Sequence, residues 1–377
     1  DLLTDESFER IASIIEKSPT NDQSGILNVL DDDKAQSVIE LLKVEEQEEI
    51  AEIMGYPDDS AGALMNTEVF TLHESITAGE AIKTLQDQEN AEMVFYLYIT
   101  DNDDRLVGVI SLRALTTTPS STNLKDIMIK KVHSIRPETD QEDVARIVAQ
   151  YNFLAVPVLD SDSKLLGIVT VDDVVDVIRE EATEDFLQMA GAGKDREILL
   201  KSSWENAKAR LPWLFASWIG GVIAASLIGV FENMLENIIA LAAFIPVILG
   251  MGGNIATQSS TIIVRGMATG RVNEGGEIKL ILKEVQVGII LGILYGILLG
   301  VFARFTFSSA PKNLGIVVGL SICVSMIVAA TVGTVIPLIL RKLDIDPAIA
   351  TGPFVTTSID ILGVLFYFMI AGFFLSV

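Results

Sequence analysis

Long stretches without a single charged residue dominate the second half of this 377-residue chain. The charge-free runs are 211–231, 238–264, 285–303 and 314–340, and a fifth apolar run, 347–377, contains one carboxylate, Asp360. Because an α-helix rises about 1.5 Å per residue, each run can cross about 30 Å of hydrocarbon. The sequence predicts an all-α transmembrane domain over 211–377, with helices at about 211–231, 238–266, 284–306, 314–341 and 350–377.

Charge is distributed very unevenly along the chain. Residues 1–200 hold 42 acidic and 16 basic residues, whereas residues 201–377 hold 9 and 11. Basic residues flank three of the predicted membrane boundaries: Lys201, Lys208, Arg210, Arg265, Arg271, Lys279, Lys283, Arg341 and Lys342. The remaining loops offer only Arg304 and Lys312. The positive-inside tendency predicts a multi-pass protein of the cell membrane, inner or plasma, with the acidic half cytoplasmic and the C-terminus outside.

Several classes of protein are disfavoured by what the sequence lacks. One cysteine and two histidines cannot supply a disulfide framework or a Cys/His zinc site. The sequence contains no H-E-x-x-H, no Walker P-loop and no G-x-S-x-G. We therefore expect neither an enzyme nor a nucleic-acid partner. The chain starts at Asp1 without methionine or a signal peptide, which indicates a truncated N-terminal module.

The acidic half begins with a predicted α-helical N-terminal module over 1–62. Apolar residues recur there at helical spacing, and carboxylates occupy the remaining faces. Two interpretations stay open for this module: a solvated acidic surface or a metal-responsive one.

An internal repeat follows the N-terminal module. Segment 64–86 resembles 127–149, and 101–115 resembles 160–174. Each copy is predicted to form a β-rich segment, a helix, two strands around an Asp-rich turn and a closing helix. Because such short units bury little surface alone, the two copies should pack as an α/β pair.

The repeat resembles tandem cystathionine-β-synthase (CBS) domains, here over 63–124 and 125–185. The signature of that family is complete at Gly167, Thr170 and Asp173, whereas the first copy has Ala114 in place of the acid. A Ser/Thr hydroxyl can reach a phosphate, and an Asp carboxylate can accept hydrogen bonds from ribose hydroxyls. Thr170 and Asp173 are thus candidates for one ATP site per chain. The alternative is a CBS pair that binds no nucleotide and only transmits force.

A connecting segment joins the repeat to the membrane half. After an interruption at 191–193, apolar residues up to Ala207 keep helical spacing while basic residues increase toward Arg210. This pattern predicts an amphipathic connecting helix over 186–210, lying at the inner membrane interface.

The second apolar run has an unusual composition for a membrane helix. It contains Pro246 and glycines, which should loosen the helix and turn carbonyls outward. Six polar residues then follow within eight positions: Asn254, Thr257, Gln258, Ser259, Ser260 and Thr261. Together they predict a water-lined path. The alternative is helix packing through small residues with interhelical hydrogen bonds.

Asp360 is predicted to lie near the middle of the bilayer, where a charged side chain costs at least about 2.5–3.5 kcal/mol. No charge-free run supplies a basic partner, so protonation, a water-filled cavity or a bound cation must compensate it. Oxygen ligands without Cys or His suit Mg²⁺, Ca²⁺ or Mn²⁺. Two subunits around a two-fold axis would bring two Asp360 carboxylates to one pore, which predicts a homodimer.

Three motifs resemble the MgtE-type magnesium channels: "EATED" at 181–185, "GMGGNIATQSS" at 250–260 and "TTSID" at 356–360. The resemblance implies a homodimeric, Mg²⁺-selective channel with five helices per subunit that closes when cytoplasmic Mg²⁺ is high. It assigns the pore carboxylate to Asp360 and the neighbouring positions to Gly253, Thr257, Thr261 and Thr356. Members of that family often have Asn at the position of Thr257.

The acidic half offers a physical basis for closure, because cations that bridge its carboxylates would favour a compact arrangement. The candidate regulatory acids are Asp58, Asp59, Asp172, Asp173, Asp176, Glu180, Glu181, Glu184 and Asp185. Two other functions remain open: a proton-coupled carrier of divalent cations, and a membrane-anchored nucleotide sensor without transport.

Overall fold

The computed structural model describes residues 6–28, 30–87, 96–193, 198, 201–272, 275–343 and 345–375. The chain divides into two compact units, Asp1–Arg179 and Glu180–Val377. Each unit is described below by itself.

Four short helices form the start of the first unit, as the sequence predicts. They are α1 (Phe8–Ile15), α2 (Thr20–Asn28), α3 (Asp32–Ile39) and α4 (Val44–Ile53). Helix α1 packs on α3, and α2 packs on α4. The core contains Ile11 and Ile15, which lie one helical turn apart, together with Val38 and Ile50.

The first copy of the repeat folds in the predicted element order, and the second follows that order from its first helix onward, without a leading strand among the described residues. The first copy contains β1 (Thr71–His73), α6 (Ala78–Gln86), β2 (Tyr96–Thr100), β3 (Leu106–Ser111) and α7 (Leu112–Thr117). The second contains α9 (Gln141–Tyr151), β4 (Ala155–Leu159), β5 (Leu165–Thr170) and α10 (Val171–Met189). Two short helices, α5 (Ala61–Leu64) and α8 (Leu124–Ile127), precede the copies. Strand β2 pairs in parallel with β1 and antiparallel with β3, and β4 pairs antiparallel with β5.

The two copies exchange their leading segments, which the contiguous boundaries at 63–124 and 125–185 do not capture. Ala61 and Met65 are buried in the core of the second copy, and the Asn66 N–H donates to the Ile168 carbonyl at 2.8 Å. Conversely, Leu124 is buried in the core of the first copy. Sequence similarity aligns the copies but does not reveal which core a leading segment joins.

The predicted connecting helix over 186–210 is not one helix in the described part of the chain. Helix α10 ends at Met189, and Gly191 and Gly193 adopt positive φ angles of 69° and 94°, a conformation that ends helices. The next helix, α11 (Ser203–Val230), starts at a capping box in which Ser202 and Glu205 bond reciprocally. The amphipathic stretch up to Arg210 therefore forms the first turns of the first membrane helix. Residues 194–197, 199 and 200 lie outside the described residues.

Five helices of the second unit are long and apolar enough to cross a membrane, within the ranges described above. They are α11, a 3-10 helix Ile239–Phe244 continued by α13 (Ile245–Ala268), α14 (Glu277–Thr306), α15 (Leu314–Lys342) and α16 (Pro353–Leu375). Short connections contain α12 (Glu232–Asn237) and a 3-10 helix Pro347–Ala350. Helix α15 packs against α13, α14 and α16, and their core contains Phe244, Ile322, Met326 and Phe368.

Helix α13 is a regular α-helix, contrary to the expected loosening by proline and glycine. Pro246 lies in the first turn, where its missing N–H leaves no helical bond unmade. Gly252 instead allows close packing, because a Cβ there would lie 2.9 Å from both Ile359 Cγ2 and Ser325 Oγ. Carbonyls do not turn outward in α13, so side chains and water are the available ligands for a cation.

Candidate functional site

Helices α13 and α16 pack antiparallel in a register fixed by three contacts. The Ser260 hydroxyl bonds to the Thr351 hydroxyl at 3.2 Å. Gly252 lies against Ile359, and a Cβ on Gly363 would lie 3.5 Å from Leu249 Cδ2. Positions along one helix can therefore be matched in depth with positions along the other.

Asp360 directly follows Ile359 and so lies at the depth of Gly252, well inside α16. Its side chain is half-buried, whereas Ile359 is buried among the helices. In the part of the chain that the structure describes, no hydrogen bond or ion pair reaches the Asp360 carboxylate. None of the described side chains of the single chain therefore compensates this acid.

The other predicted pore residues occupy the half-buried and exposed side of α13. Gly253, Thr257 and Thr261 are spaced by four residues and form one stripe, with open space beside Gly253. Asn254 is exposed next to that stripe. Gly253 lies close to the depth of Asp360, and the register places Thr257 and Thr261 about one and two turns further along α13.

Thr356 lies one turn before Asp360 on α16, at about the depth of Thr257. Its hydroxyl donates to the Gly352 carbonyl at 3.3 Å, so the lone pairs of Oγ1 remain available to accept a hydrogen bond or a cation. The structure thus groups Gly253, Thr257 and Thr356 within about two turns of Asp360 in depth, and Thr261 lies further along α13.

Two of the six polar residues on α13 face the core instead of the predicted path. Ser259 donates to Oε2 of Glu284 on α14 at 2.8 Å, and Ser259 and Glu284 are only 2% and 6% exposed. Ser260 is fully buried against Thr351. These bonds tie α13 to α14 and to the segment that leads into α16. Sequence reasoning missed Glu284, because it lies just outside a charge-free run.

Ser325 on α15 is a further polar residue that the sequence analysis missed. Its hydroxyl is buried beside Gly252 and Gly363 and has no hydrogen-bond partner among the described residues. The hydroxyl of Ser321, four residues earlier, is also buried and has no hydrogen-bond partner among the described residues. This spacing within an apolar run could have indicated a polar face on α15.

Seven of the nine candidate regulatory acids lie on helix α10, which crosses the boundary between the two units at Arg179. Asp172, Asp176 and Glu180 are exposed, whereas Asp173, Glu181, Glu184 and Asp185 are partly buried. The remaining two, Asp58 and Asp59, are exposed in the loop before α5, where the Asp59 carbonyl accepts a bond from the Gln141 N–H at 2.9 Å.

Asp185 occupies a distinctive electrostatic environment near the end of α10. Burial, with a smaller contribution from the carboxylates of Asp346, Glu181 and Glu184, raises the pKa of Asp185 to about 6, while the Arg265 guanidinium opposes this rise. Asp346 precedes the 3-10 helix before α16 and was missed from the sequence. The structure therefore brings acids from α10 and from this loop to one electronegative cluster.

The two predicted nucleotide-binding residues bond to each other at the start of α10. The Thr170 hydroxyl and N–H both donate to Asp173 Oδ2, the arrangement that caps a helix. Burial raises the pKa of Asp173 above its usual value despite these bonds, and Asp172 and Asp22 raise it further. A nucleotide at this position would have to share or displace the capping interaction.

The ligand sets that hold metal ions in proteins usually combine several His, Cys, Asp or Glu side chains. Among the described residues, no group of three or more His, Cys, Asp or Glu side chains could hold a metal ion. Asp360 is the only Asp or Glu within α16, and it lies on a side that its own subunit leaves partly open.

The chain matches three families of known domains. Residues 245–370 match the MgtE divalent cation transporter family, 61–119 and 124–180 match CBS domains, and 1–59 match the MgtE intracellular N domain. The magnesium transporter MgtE of Enterococcus faecalis is 40% identical over 332 residues, which cover 88% of this chain and 72% of the relative. That of Bacillus subtilis is 38% identical over 331 residues, 88% of this chain and 73% of the relative.

A solved structure, the cytosolic domain of the Mg²⁺ channel MgtE in complex with ATP, is also similar. It is 37% identical, covers 45% of this chain and 69% of that chain, and has a TM-score of 0.43. Five apolar helices following a tandem CBS pair define a multi-pass membrane protein with a regulatory domain. The chain belongs to the MgtE family of divalent cation transporters.

Proposed function

We propose that this chain is one subunit of a homodimeric Mg²⁺ channel whose pore runs along the two-fold axis between α13 and α16 of the two subunits. The observation that carries the proposal is Asp360: a membrane carboxylate without a partner among the described residues of its own chain, on a side left partly open. The names of the relatives, magnesium transporters, support Mg²⁺ as the cargo.

Two facing Asp360 carboxylates would match the charge of one divalent cation. Mg²⁺ loses its water reluctantly, so we expect a largely hydrated ion held through its water shell. The hydroxyls of Thr257 and Thr356 would accept or orient those waters, and Gly253 would leave room for them because open space lies beside it. Asn254 and Thr261 would line the path on either side. The function needs no catalytic group, so we expect no enzymatic activity.

Orientation and regulation form the second part of the proposal. The basic residues near Arg210, Arg265 and Arg341 favour a cytoplasmic location for the acidic half and an outside C-terminus. Cytoplasmic Mg²⁺ would bridge acids of α10, foremost the cluster around Asp185, and would favour the closed state by its higher affinity for that state. The position of Asp346 beside this cluster, shortly before α16, gives the acids a direct mechanical connection to the pore helix.

Nucleotide binding is a subsidiary proposal: Thr170 and Asp173 of the second CBS copy would bind ATP. We expect the full-length protein to bind ATP in a calorimetric titration and a Thr170→Val/Asp173→Asn variant to lose that binding. Equal affinity in both proteins would remove these residues from the site.

Flux into liposomes that contain the purified protein tests the main proposal. With Mg²⁺ varied independently on the two sides and no pH gradient, a channel gives flux that follows the Mg²⁺ gradient and the voltage. A proton-coupled carrier requires the pH gradient, and a membrane-anchored sensor gives no flux. If Mg²⁺ binding to the acidic half closes the channel, flux should fall when the Mg²⁺ concentration on that side rises.

Cross-linking tests the two-fold pore. In a Cys323→Ser background, which removes the only cysteine, an Asn254→Cys variant should form disulfide-linked dimers because Asn254 is exposed beside the proposed axis. Ile290→Cys, on the exposed side of α14, serves as the matched control. Dimers from the control but not from position 254 would contradict the proposed interface.

A further inference from the structure

A groove of about 540 Å³ runs between helices α14 and α15, away from the proposed pore. The two helices approach very closely along its floor: a Cβ on Gly296 would lie 2.6 Å from the Gly319 carbonyl oxygen, and Gly300 meets Gly315 in the same way. The larger side chains of Ile293, Ile297 and Ile316 stand on either side and form apolar walls. The floor is therefore narrow and the groove is open along its length.

The groove has one apolar end and one charged end. Its deep end lies at Gly292 and Cys323, and its other end is formed by Arg304 on α14 and Lys312 just before α15. These are the two basic residues that the charge pattern left unexplained, because they lie in the connections that otherwise lack positive charge. Both are exposed, and both line the same groove.

The length of the groove matches one leaflet of a bilayer. Twelve residues separate Gly292 from Arg304, about 18 Å along a helix, and half of a hydrocarbon core is about 15 Å. Since Arg304 is close to the end of α14, the basic end reaches the headgroup level when the apolar end reaches the middle of the bilayer. An apolar acyl chain attached to an anionic headgroup has a matching arrangement, with its charge at the membrane surface and its apolar end near the middle of the bilayer.

We propose that this groove binds an anionic phospholipid of the leaflet next to the α14–α15 connection, with its phosphate at Arg304 and Lys312 and an acyl chain between the two helices. The Arg304 guanidinium can donate two hydrogen bonds to a phosphate, and the Lys312 ammonium adds a second charge. The two positive charges select lipids with an anionic headgroup, whereas the apolar walls accept any acyl chain.

A fluorescence experiment with the full chain in vesicles tests this proposal. Bimane is attached at position 297 of a Cys323→Ser/Ile297→Cys variant, and vesicles contain phosphatidylcholine with increasing brominated phosphatidylglycerol or, separately, brominated phosphatidylcholine. We expect the brominated anionic lipid to quench with about tenfold higher apparent affinity. The preference should disappear in Arg304→Gln/Lys312→Gln and persist in Arg304→Lys/Lys312→Arg.

A label at position 290 is the matched control, because Ile290 is 66% exposed and Ile297 is 62% exposed on the same helix, and Ile290 does not line the groove. Quenching there should show no preference between lipid classes. The proposal is overturned if both brominated lipids quench the label at position 297 equally, or if the neutral double variant keeps the preference. It is also overturned if neither lipid quenches that label, which would mean that a second copy of the chain covers the groove.

Discussion

The membrane helices and helix α10 both carry carboxylates, but they hold them in opposite ways. On the open side of α16 there is one acid, Asp360, without a partner among the described residues of its chain. Helix α10 carries seven candidate acids, three of them exposed. A function that depends on one isolated charge is lost when that charge is replaced. A function that depends on many solvated charges persists when one of them is replaced. The predictions below test that difference, beginning with the largest expected effect.

Asp360→Asn should reduce Mg²⁺ flux by at least about 100-fold, which corresponds to about 2.8 kcal/mol, because the neutral amide no longer attracts the cation. Flux is measured in liposomes, and elution volume and helical content report on folding. Ser358→Ala serves as the control, since the Ser358 hydroxyl only donates to the Phe354 carbonyl of its own helix. Unchanged flux in a folded Asp360→Asn protein contradicts the proposed pore.

Ser259→Ala should destabilise the membrane unit by about 1–3 kcal/mol, because Glu284 then stays buried without its hydroxyl donor. The measurement is the apparent midpoint of thermal unfolding in detergent. The exposed Ser226, which donates only to the Val222 carbonyl, is the matched control, and Ser226→Ala should change stability by less than about 0.5 kcal/mol. Equal effects of the two substitutions would show that the Ser259–Glu284 bond does not hold α13 in place.

The sequence was sufficient to predict features that depend on local composition. Five membrane helices follow from charge-free length alone, and Asp360 stands out because nothing near it in the sequence can neutralise it. The helices are longer than predicted where charged residues such as Glu277 extend them beyond the apolar core. Helix α14 therefore begins seven residues before its predicted start at residue 284.

Features that depend on contacts between distant segments could not be predicted. The partnership of Ser259 with Glu284 and the approach of Asp346 to Asp185 join residues far apart in the chain. The sequence predicts that the glycines of α13 loosen the helix, but their effect depends on what packs against them. Ile359 and Ser325 fill the space beside Gly252, and this packing keeps the helix regular.

Among the acids of α10, Asp185 should respond most strongly to a single substitution, as Asp360 should in the membrane helices. Its pKa of about 6 lies above the usual value of 3.8, so folding favours its protonated form. The contribution of protonated Asp185 to the stability of the fold is fully present below about pH 4 and is lost as the pH rises through about 6. Asp185→Asn should therefore raise stability by on the order of 1 kcal/mol at pH 7.5 without added Mg²⁺, and should change little at pH 4.

Thermal unfolding at the two pH values, with and without Mg²⁺, measures this effect. Because a cation and a proton compete for the same carboxylate, Mg²⁺ should stabilise the wild-type protein more at pH 7.5 than at pH 5, and the difference should shrink in Asp185→Asn. Asp172→Asn, at an exposed position of the same helix, should behave as wild type. If Asp172→Asn and Asp185→Asn respond alike, burial does not distinguish the acids of α10.

The smallest expected effect is on ion selectivity and concerns Thr257 of membrane helix α13. Thr257 lies about two turns from Asp360 in depth and contacts the cation, in the proposed pore, only through water. Thr257→Asn replaces a hydroxyl by a longer amide that reaches further into the path, and the charge at Asp360 is unchanged. We expect total Mg²⁺ flux to stay within about threefold of wild type, since a rearranged water-mediated hydrogen bond changes the free energy by less than about 1 kcal/mol. The ratio of Mg²⁺ to Ca²⁺ flux should shift by a similar factor, because Ca²⁺ accepts irregular oxygen ligands more readily than Mg²⁺ does. A loss of flux as large as that of Asp360→Asn would mean that Thr257 binds the ion directly, and the membrane path would then depend on more than one charge.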